Sequence, residues 1–321
     1  MLREILENFF RKIDFGFEEC KENNLSVWQC PGFLFVVMGF INISSMIGIY
    51  VVVSKYDSPE LIVMSVSVVS LLIFIVGSSI IKGVEQIMMA NKIKSEFVSI
   101  VSHQLKAPLS GMRWASDILT SDKIGELNDK QEEYIKDIQE STSRMIRLVN
   151  DLLDVSKIES GKMEINFQEI NLKEIITVAV KELNTFAMAN NVKLTIDIDR
   201  KVSEVKTDPI RIKMVIQNFI DNAIKYTSPQ KGIVKVFLEN KNGNVYCSVE
   251  DNGLGISKTE QARIFDKFFR GSGVAKKQTI GTGLGLYIAK SAIESSRGQI
   301  GFKSKKGKGS TFWFTLPASG N

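Results

Sequence analysis

His103 is the only histidine in the 321-residue chain. Around it, apolar residues recur at steps of three and four between positions 97 and 119, which predicts one buried face of an α-helix. His103 falls on the polar side of that helix, with Lys106 and Ser110. A neutral imidazole in such a place can accept a phosphoryl group. A lone histidine can equally be a structural or surface residue, and this segment alone leaves both interpretations open.

A second set of polar residues lies far downstream, on a segment with helical periodicity. Asn218, Asn222 and Lys225 are spaced so that they share one helical face. Amide oxygens can bind Mg²⁺ beside phosphates, and a lysine meets phosphate as a point charge. The alternative is a polar surface of an ordinary helix. The spacing therefore predicts that the three residues share one helical face. It predicts a phosphate site only if other phosphate-binding motifs accompany it.

Two glycine-bearing segments follow. Asp251 comes directly after a predicted strand and is followed by Gly253 and Gly255. A carboxylate at a strand end can accept a hydrogen bond from an adenine amino group, although the same residues also form ordinary turns. Residues 281–286 open a helix, whose free N–H groups attract phosphate. They do not open a βαβ unit, so a dinucleotide-binding fold is not indicated.

The residues described so far resemble a known family. Residues 102–109, Ser-His-Gln-Leu-Lys-Ala-Pro-Leu, resemble the H-box of bacterial sensor histidine kinases. Residues 218–226, 251–256, 265–270 and 281–286 resemble the N, G1, F and G2 boxes of the Bergerat-type ATP-binding domain of those kinases. The resemblance covers residues 90–318. It implies that His103 receives the γ-phosphoryl group of ATP, with Mg²⁺ as the second cofactor.

The resemblance also implies roles for individual residues. Asn222 would hold Mg²⁺ with Asn218 in support, and Asp251 would read adenine. Phosphate contacts would come from Lys225, Tyr226 and Arg270. Residues 271–280, basic and glycine-bearing, would form a lid hinged at the glycines. The remaining predicted nucleotide contacts are Gly253, Gly255, Phe265, Gly281, Thr282, Gly283, Leu284, Gly285 and Thr311.

Two positions depart from the family pattern. Gln104 stands where an acidic residue usually takes the proton from the attacking imidazole, and it can orient the ring but cannot accept that proton. Ala107 stands where a Thr or Asn usually orients water for dephosphorylation of the partner. We therefore expect slowed transfer or a weak kinase from Gln104, and low phosphatase activity from Ala107.

The elements that must position these residues begin with two apolar runs. Residues 31–53 and 61–81 carry no charged side chain, and each is long enough to cross a bilayer. Lysines and arginines flank the pair, so both chain ends are predicted to be cytoplasmic. The short segment between the runs cannot fold into a ligand-binding domain. Residues 1–30 fit either a helix at the membrane surface or a poorly ordered tail.

The cytoplasmic part has two patterns. Residues 82–161 predict a helical hairpin, continuous with the second span, that must pair with a second copy as a four-helix bundle to bury both apolar stripes. Residues 162–321 alternate strand-like runs, the first at 163–170, with helices, the last at 283–297. Asn242-Gly243 between two of these runs predicts a hairpin turn. The pattern as a whole predicts an α+β sandwich. The fold class is therefore a transmembrane hairpin (31–81) after an N-terminal segment (1–30), an all-α acceptor hairpin and an α+β ATP-binding domain.

Composition argues against two classes of function, nucleic-acid binding and zinc binding. Charge is mixed in sign along the chain, which indicates no nucleic-acid surface, and three dispersed cysteines without a CxxC spacing disfavour a zinc site. No receiver domain follows, so the predicted partner is a separate response regulator that carries an acceptor aspartate. The predicted protein is a multi-pass, homodimeric sensor kinase of the inner membrane. An ATP-binding dimeric scaffold that regulates another kinase, or an ATPase without a phosphoprotein, remain the alternatives.

Overall fold

The computed structural model describes residues 30–55, 59–121, 125, 127–227, 231–271 and 281–319. The predicted N-terminal segment, except Cys30, and the predicted lid, except Gly271, lie outside the described residues. The chain divides into two compact units. The first comprises residues 1–101 with 159–162, and the second comprises residues 102–158 with 163–321.

The first unit contains two helices that are long and apolar enough to cross a membrane. Helix α1 spans Pro31–Val53, and α2 begins at Pro59. Asn42 and Ser70 join them by reciprocal hydrogen bonds: the Asn42 amide donates to the Ser70 carbonyl (3.2 Å), and the Ser70 hydroxyl donates to the Asn42 amide oxygen (2.7 Å).

Helix α2 runs without interruption from Pro59 to Leu119, so the predicted continuity between the second span and the histidine segment is confirmed. Helix α3 spans Asp129–Glu159. Its start is set by a reciprocal cap, in which the Asn128 side chain accepts from the Gln131 N–H and the Gln131 side chain accepts from the Asn128 N–H, both at 3.0 Å.

The buried positions of the hairpin repeat every seven residues. On α2 they are Ser102, Leu109 and Ser116, and on α3 they include Ile135, Thr142 and Val149. The larger apolar side chains of the predicted stripe point elsewhere and remain exposed in the single chain: Phe97, Leu105, Met112 and Leu119. The facing stripes thus combine small polar residues with Leu109, Ile135 and Val149, and the apolar residues outside these stripes stay uncovered by their own chain.

The rest of the second unit is a mixed sheet covered by helices. The strands are β1 (Gln168–Ile170), β2 (Val192–Ile198), β3 (Val205–Thr207), β4 (Gly232–Lys241), β5 (Asn244–Asp251), β6 (Gln299–Lys305) and β7 (Gly309–Pro317). The helices are α4 (Leu172–Ala189), α5 (Pro209–Tyr226), α6 (Lys258–Gln261) and α7 (Gly285–Ser295). The main sheet has the order β2-β4-β5-β7-β6, with β2 and β4 parallel and the other pairs antiparallel.

One core joins α4, α5 and α7 to alternate residues of the sheet. Val234, Val236 and Leu238 are fully or almost fully buried, whereas the intervening Lys235 is exposed. The predicted turn at Asn242-Gly243 has positive φ at both residues (52° and 76°), as a two-residue hairpin requires. The predicted sandwich, with helices on one face of a sheet, is therefore confirmed.

The boundaries differ from the prediction in two places. The strand predicted over residues 163–170 is formed only at its last three residues, where β1 pairs with β3, a strand too short for periodicity to reveal. Helix α7 begins at Gly285 rather than at Gly283, because Gly283 has a φ of 71° and lies outside the helical region.

Candidate active site

A cavity of about 1310 Å³ opens beside α5 in the second unit. It brings together residues from all the predicted ATP-binding clusters, although these are spread over some 70 positions of the sequence. The predicted residues in its wall are Asn218, Asn222, Lys225, Tyr226, Asp251, Gly255, Arg270, Gly281, Thr282, Gly283 and Gly285.

The polar face of α5 forms one wall of the cavity. The Asn222 amide nitrogen donates to the Asn218 amide oxygen at 3.2 Å, which orients the Asn222 oxygen as the remaining acceptor of that side chain. The Asn218 amide nitrogen is buried and has no hydrogen-bond partner among the described residues. Lys225 forms an ion pair with Asp221 one turn earlier. The face predicted from spacing therefore carries an oriented amide oxygen and a cation.

Asp251 lies at the end of β5, 7% exposed. Burial raises the pKa of its carboxyl group to about 6, although hydrogen bonds from the backbone of Gly253 (2.8 Å) and Ser310 oppose that rise. A neighbouring carbonyl explains why Gly253 is glycine: a Cβ there would overlap the Tyr226 carbonyl oxygen. Asp251 is thus a largely desolvated acceptor at the cavity wall.

Tyr226 and the glycine segment meet in the cavity wall, where a Cβ on Gly281 would lie 4.0 Å from the Tyr226 hydroxyl. Burial raises the pKa of the Tyr226 hydroxyl, and Asp221 adds to that effect while Arg270 opposes it. A Cβ on Gly285 would clash with the Asn218 amide, and Gly283 passes close to the backbone of Phe268 and Phe269. The glycines therefore let this segment run directly against α5 and the 265–270 segment.

Four predicted contacts lie behind the cavity wall. Gly253 supports Asp251, Phe265 packs edge-on against Phe302 (6.0 Å between ring centroids), and Leu284 is 1% exposed in a small apolar cluster. Thr311 is absent from the wall, where Ser310 and Phe312 stand on either side of it along β7. Neighbouring residues of a strand point to opposite faces of the sheet, so Ser310 and Phe312, not Thr311, face the cavity.

His103 and Gln104 lie on the exposed surface of α2 and do not line the cavity. The acceptor and the nucleotide site are therefore apart in this conformation.

The wall also contains residues of α3 that the sequence analysis did not assign to the site. They are Ser141, Arg144, Met145, Arg147, Leu148 and Asp151. The Thr282 hydroxyl donates to the Asp151 carboxylate at 2.8 Å, and burial raises the pKa of Asp151. The helical periodicity of these residues could not predict that they line the cavity. Periodicity shows which residues share a face of α3, but it does not show which element packs against that face.

Two further contacts hold α3 against the ATP-binding part. Arg211 forms an ion pair with Asp154 at 2.9 Å, with both side chains about one-fifth exposed. Val155 packs with Leu284 and Ile288, all buried. The carboxyl-terminal half of α3 is thus fixed to the start of α5 and to the glycine segment.

Two family models match the chain. The "His Kinase A (phospho-acceptor) domain" matches residues 93–161, and the "Histidine kinase-, DNA gyrase B-, and HSP90-like ATPase" matches residues 207–320. The first range contains His103, and the second contains the glycine and asparagine clusters of the cavity.

Individual relatives agree with these matches. The chain is 38% identical over 233 residues to the non-motile and phage-resistance protein of Caulobacter vibrioides and 34% identical over 230 residues to the circadian input-output histidine kinase CikA of Synechococcus elongatus. Each alignment covers 71% of this chain but only 27% and 30% of the relative, so the chain spans less than a third of their length.

Among solved structures, full-length ShkA in complex with AMPPNP is similar, with a TM-score of 0.58 and 25% identity over 70% of this chain and 46% of ShkA. Three findings agree. The acceptor-domain model matches around His103, the ATPase model matches around the cavity, and histidine kinases are among the named relatives. The chain belongs to the sensor histidine kinases of two-component systems.

Proposed function

We propose that this chain is an ATP-dependent protein-histidine kinase that phosphorylates His103 and passes the phosphoryl group to an aspartate of a separate response regulator. The observation that carries the proposal is the cavity itself. It gathers the predicted adenine acceptor, the amide pair and the phosphate cations in a chain that also exposes its one histidine on a helical hairpin.

Recognition of ATP follows from the chemistry of the wall. The desolvated Asp251 carboxylate accepts from the adenine amino group, and a base without that donor would leave it unpaired. Lys225 and Arg270 meet the phosphates, and the segment from Gly281 to Gly285 presents backbone N–H groups at the start of α7. Tyr226 keeps its hydroxyl proton at neutral pH and can donate a hydrogen bond beside them.

The donor set also fits Mg²⁺. The Asn222 oxygen is a hard ligand, and its orientation by Asn218 leaves it as the protein's contribution to a metal that otherwise keeps phosphate and water ligands. The ion, when bound, would neutralise charge on the transferred phosphoryl group.

In the transfer step a ring nitrogen of His103 forms a bond to the γ-phosphorus, and the bond to the β–γ bridging oxygen breaks, which releases ADP. The ring becomes cationic as it attacks, and its second nitrogen then loses a proton to water. Gln104 orients the ring but cannot take that proton. Because His103 lies outside the cavity wall, transfer requires a rearrangement that brings the two together within one chain or across a dimer.

The proposed assembly is a dimer, and it is supported by the apolar surface that a single chain leaves exposed to solvent. The exposed apolar side chains of the hairpin, among them Leu105, Met112 and Ile138, are best covered by a second copy as a four-helix bundle. Helices α1 and α2 would place the protein in the inner membrane as a multi-pass chain, with both ends and the ATP-binding domain in the cytoplasm. Residues 1–30, 31–81, 82–161 and 162–321 remain our domain boundaries.

The decisive experiment incubates the purified full chain with γ-labelled ATP and Mg²⁺. We expect acid-labile, base-stable label that is lost in His103→Ala, whereas Lys106→Ala on the same helix retains it. Nucleotide binding without any label, also in Gln104→Glu, would favour the scaffold that regulates another kinase. Steady release of phosphate without a phosphoprotein would favour an ATPase.

A further inference from the structure

The wall of the ATP cavity includes two guanidinium groups that come from the hairpin and not from the ATP-binding domain. Arg144 and Arg147 lie on α3, within the same cavity wall as Asn218, Asn222 and Lys225. We propose that Arg144 and Arg147 bind the phosphate chain of the nucleotide, so that the hairpin completes the ATP site. This inference rests on the proposed function and adds a substrate-binding contribution to it.

The direction of the helices places the two arginines beside the amide pair. From the Arg211–Asp154 ion pair, the cavity-lining residues run backwards along α3 and forwards along α5, so the two helices are antiparallel there. Seven residues separate Arg147 from Asp154, and seven separate Asn218 from Arg211. At about 1.5 Å per residue, both lie about 10 Å from the ion pair along their helices.

The same count places Arg144 level with Asn222. Arg144 is ten residues from Asp154, and Asn222 is eleven residues from Arg211. By this count Arg144 and Arg147 lie at the level of the side chains that would hold Mg²⁺ and the phosphates, in the wall of the same cavity.

The charges around the cavity favour this role. Lys225 is already paired with Asp221, so it offers the phosphates less than a full positive charge. Arg147 forms no hydrogen bond and no ion pair among the described residues, and its charge acts on Asp151 one turn along α3, where it opposes the rise of the pKa of that carboxyl group. Arg144 contacts only its helix neighbours, Ser141 (2.6 Å) and Glu140 (3.4 Å). An exposed pair of this kind is weak, and a phosphate, which guanidinium groups bind in bidentate fashion, would displace it.

The test measures binding of AMPPNP, ADP and adenosine to the full chain by calorimetry, with Mg²⁺ present, and AMPPNP stands for ATP because its terminal phosphoryl group is not transferred. Arg147→Gln and Arg144→Gln should each weaken ATP binding about tenfold, the usual effect of one charge-assisted contact, and leave adenosine binding unchanged. Arg113→Gln is the matched control, because Arg113 lies on the same hairpin outside the cavity wall, and it should bind all three ligands as the unmodified chain does.

A double substitution tests the dependence on the docked helix. Arg211→Met removes the ion pair that fixes α3. In that background, Arg147→Gln should weaken the affinity for ATP by about twofold or less. A tenfold cost in both backgrounds would contradict the role of docking. Unchanged ATP binding in both glutamine variants, or an equal loss of adenosine binding, would overturn the proposal. Binding is read without phosphoryl transfer, so a chain that binds ATP but never labels His103 overturns the proposed function alone.

Discussion

Gln104 leaves His103 without a neighbouring base, since both side chains lie exposed on α2 and no carboxylate occupies the next position. In the proposed transfer, the proton released as the ring attacks would therefore go to water. At the scale of the single residue, this is the step at which the chemistry of the chain departs most from the family pattern.

The substitution Gln104→Glu should raise the initial rate of His103 phosphorylation at least about tenfold, because a carboxylate can accept the proton that the amide cannot. The rate of label incorporation at saturating ATP measures this. Gln104→Met, similar in size and without a base, should give no increase. An unchanged or lower rate in the glutamate variant would show that proton removal does not limit transfer.

Asp251 makes adenine recognition sensitive to pH. Burial raises the pKa of its carboxyl group to about 6, so the carboxylate is present above that pH and is lost as the pH falls through it. Adenosine, which has no titrating phosphate, should bind about tenfold more weakly at pH 5 than at pH 7.5. Asp251→Asn should bind weakly at both values. A wild-type affinity that stays constant over this range would contradict the role of Asp251.

At the scale of elements, a polar contact between Asn42 and Ser70 joins α1 and α2. Asn42 and Ser70 exchange two hydrogen bonds, and a Cβ on Gly77 would overlap the Met38 sulfur, so the helices approach closely at that level. Within a bilayer, where apolar side chains gain nothing by leaving lipid for one another, such contacts decide how two spans pack.

Removing that contact should therefore loosen the pair. Asn42→Ala should lower the free energy of unfolding of the membrane hairpin by about 1 kcal/mol, and adding Ser70→Ala should cost little more, because the bonds are already broken. Titration with denaturing detergent measures both. Ser78→Ala is the control, since the Ser78 hydroxyl donates to the Phe74 carbonyl of its own helix (2.7 Å). Additive losses would show that the two residues act independently.

At the scale of the whole molecule, the hairpin presents more apolar surface than one chain covers. Met112 is 53% exposed and Ile138 is 50% exposed in the single chain. A surface of this kind favours the proposed interface between two copies of the hairpin.

The double substitution Met112→Lys and Ile138→Lys should convert the proposed dimer to a monomer, because burial of two charges in the core of a four-helix bundle would cost several kcal/mol. Sedimentation in detergent measures the mass. Ile210→Lys is the matched control: Ile210 is equally apolar and 79% exposed, but it lies on α5, and its replacement should leave the dimer intact. If the lysine pair on the hairpin leaves the mass unchanged, the dimer is held elsewhere.

The sequence by itself determined the elements and most of the site. Helical faces and uncharged runs are properties of a few neighbouring residues, so spacing alone predicts the shared face of Asn218, Asn222 and Lys225, the two apolar helices and the hairpin at Asn242-Gly243. The glycine segments could be assigned to nucleotide binding because their residue types match a family pattern.

Only the tertiary structure determined which residues line the cavity and which distant segments contact one another. It placed Ser310 and Phe312 rather than Thr311 at the cavity, and it brought Asp151 to Thr282, 131 positions away, with Arg144 and Arg147 beside them. Periodicity identifies a face of a strand or helix but not its neighbour. That choice depends on packing between distant segments, where the covering of Val155 by Leu284 and the pairing of Asp154 with Arg211 select one arrangement.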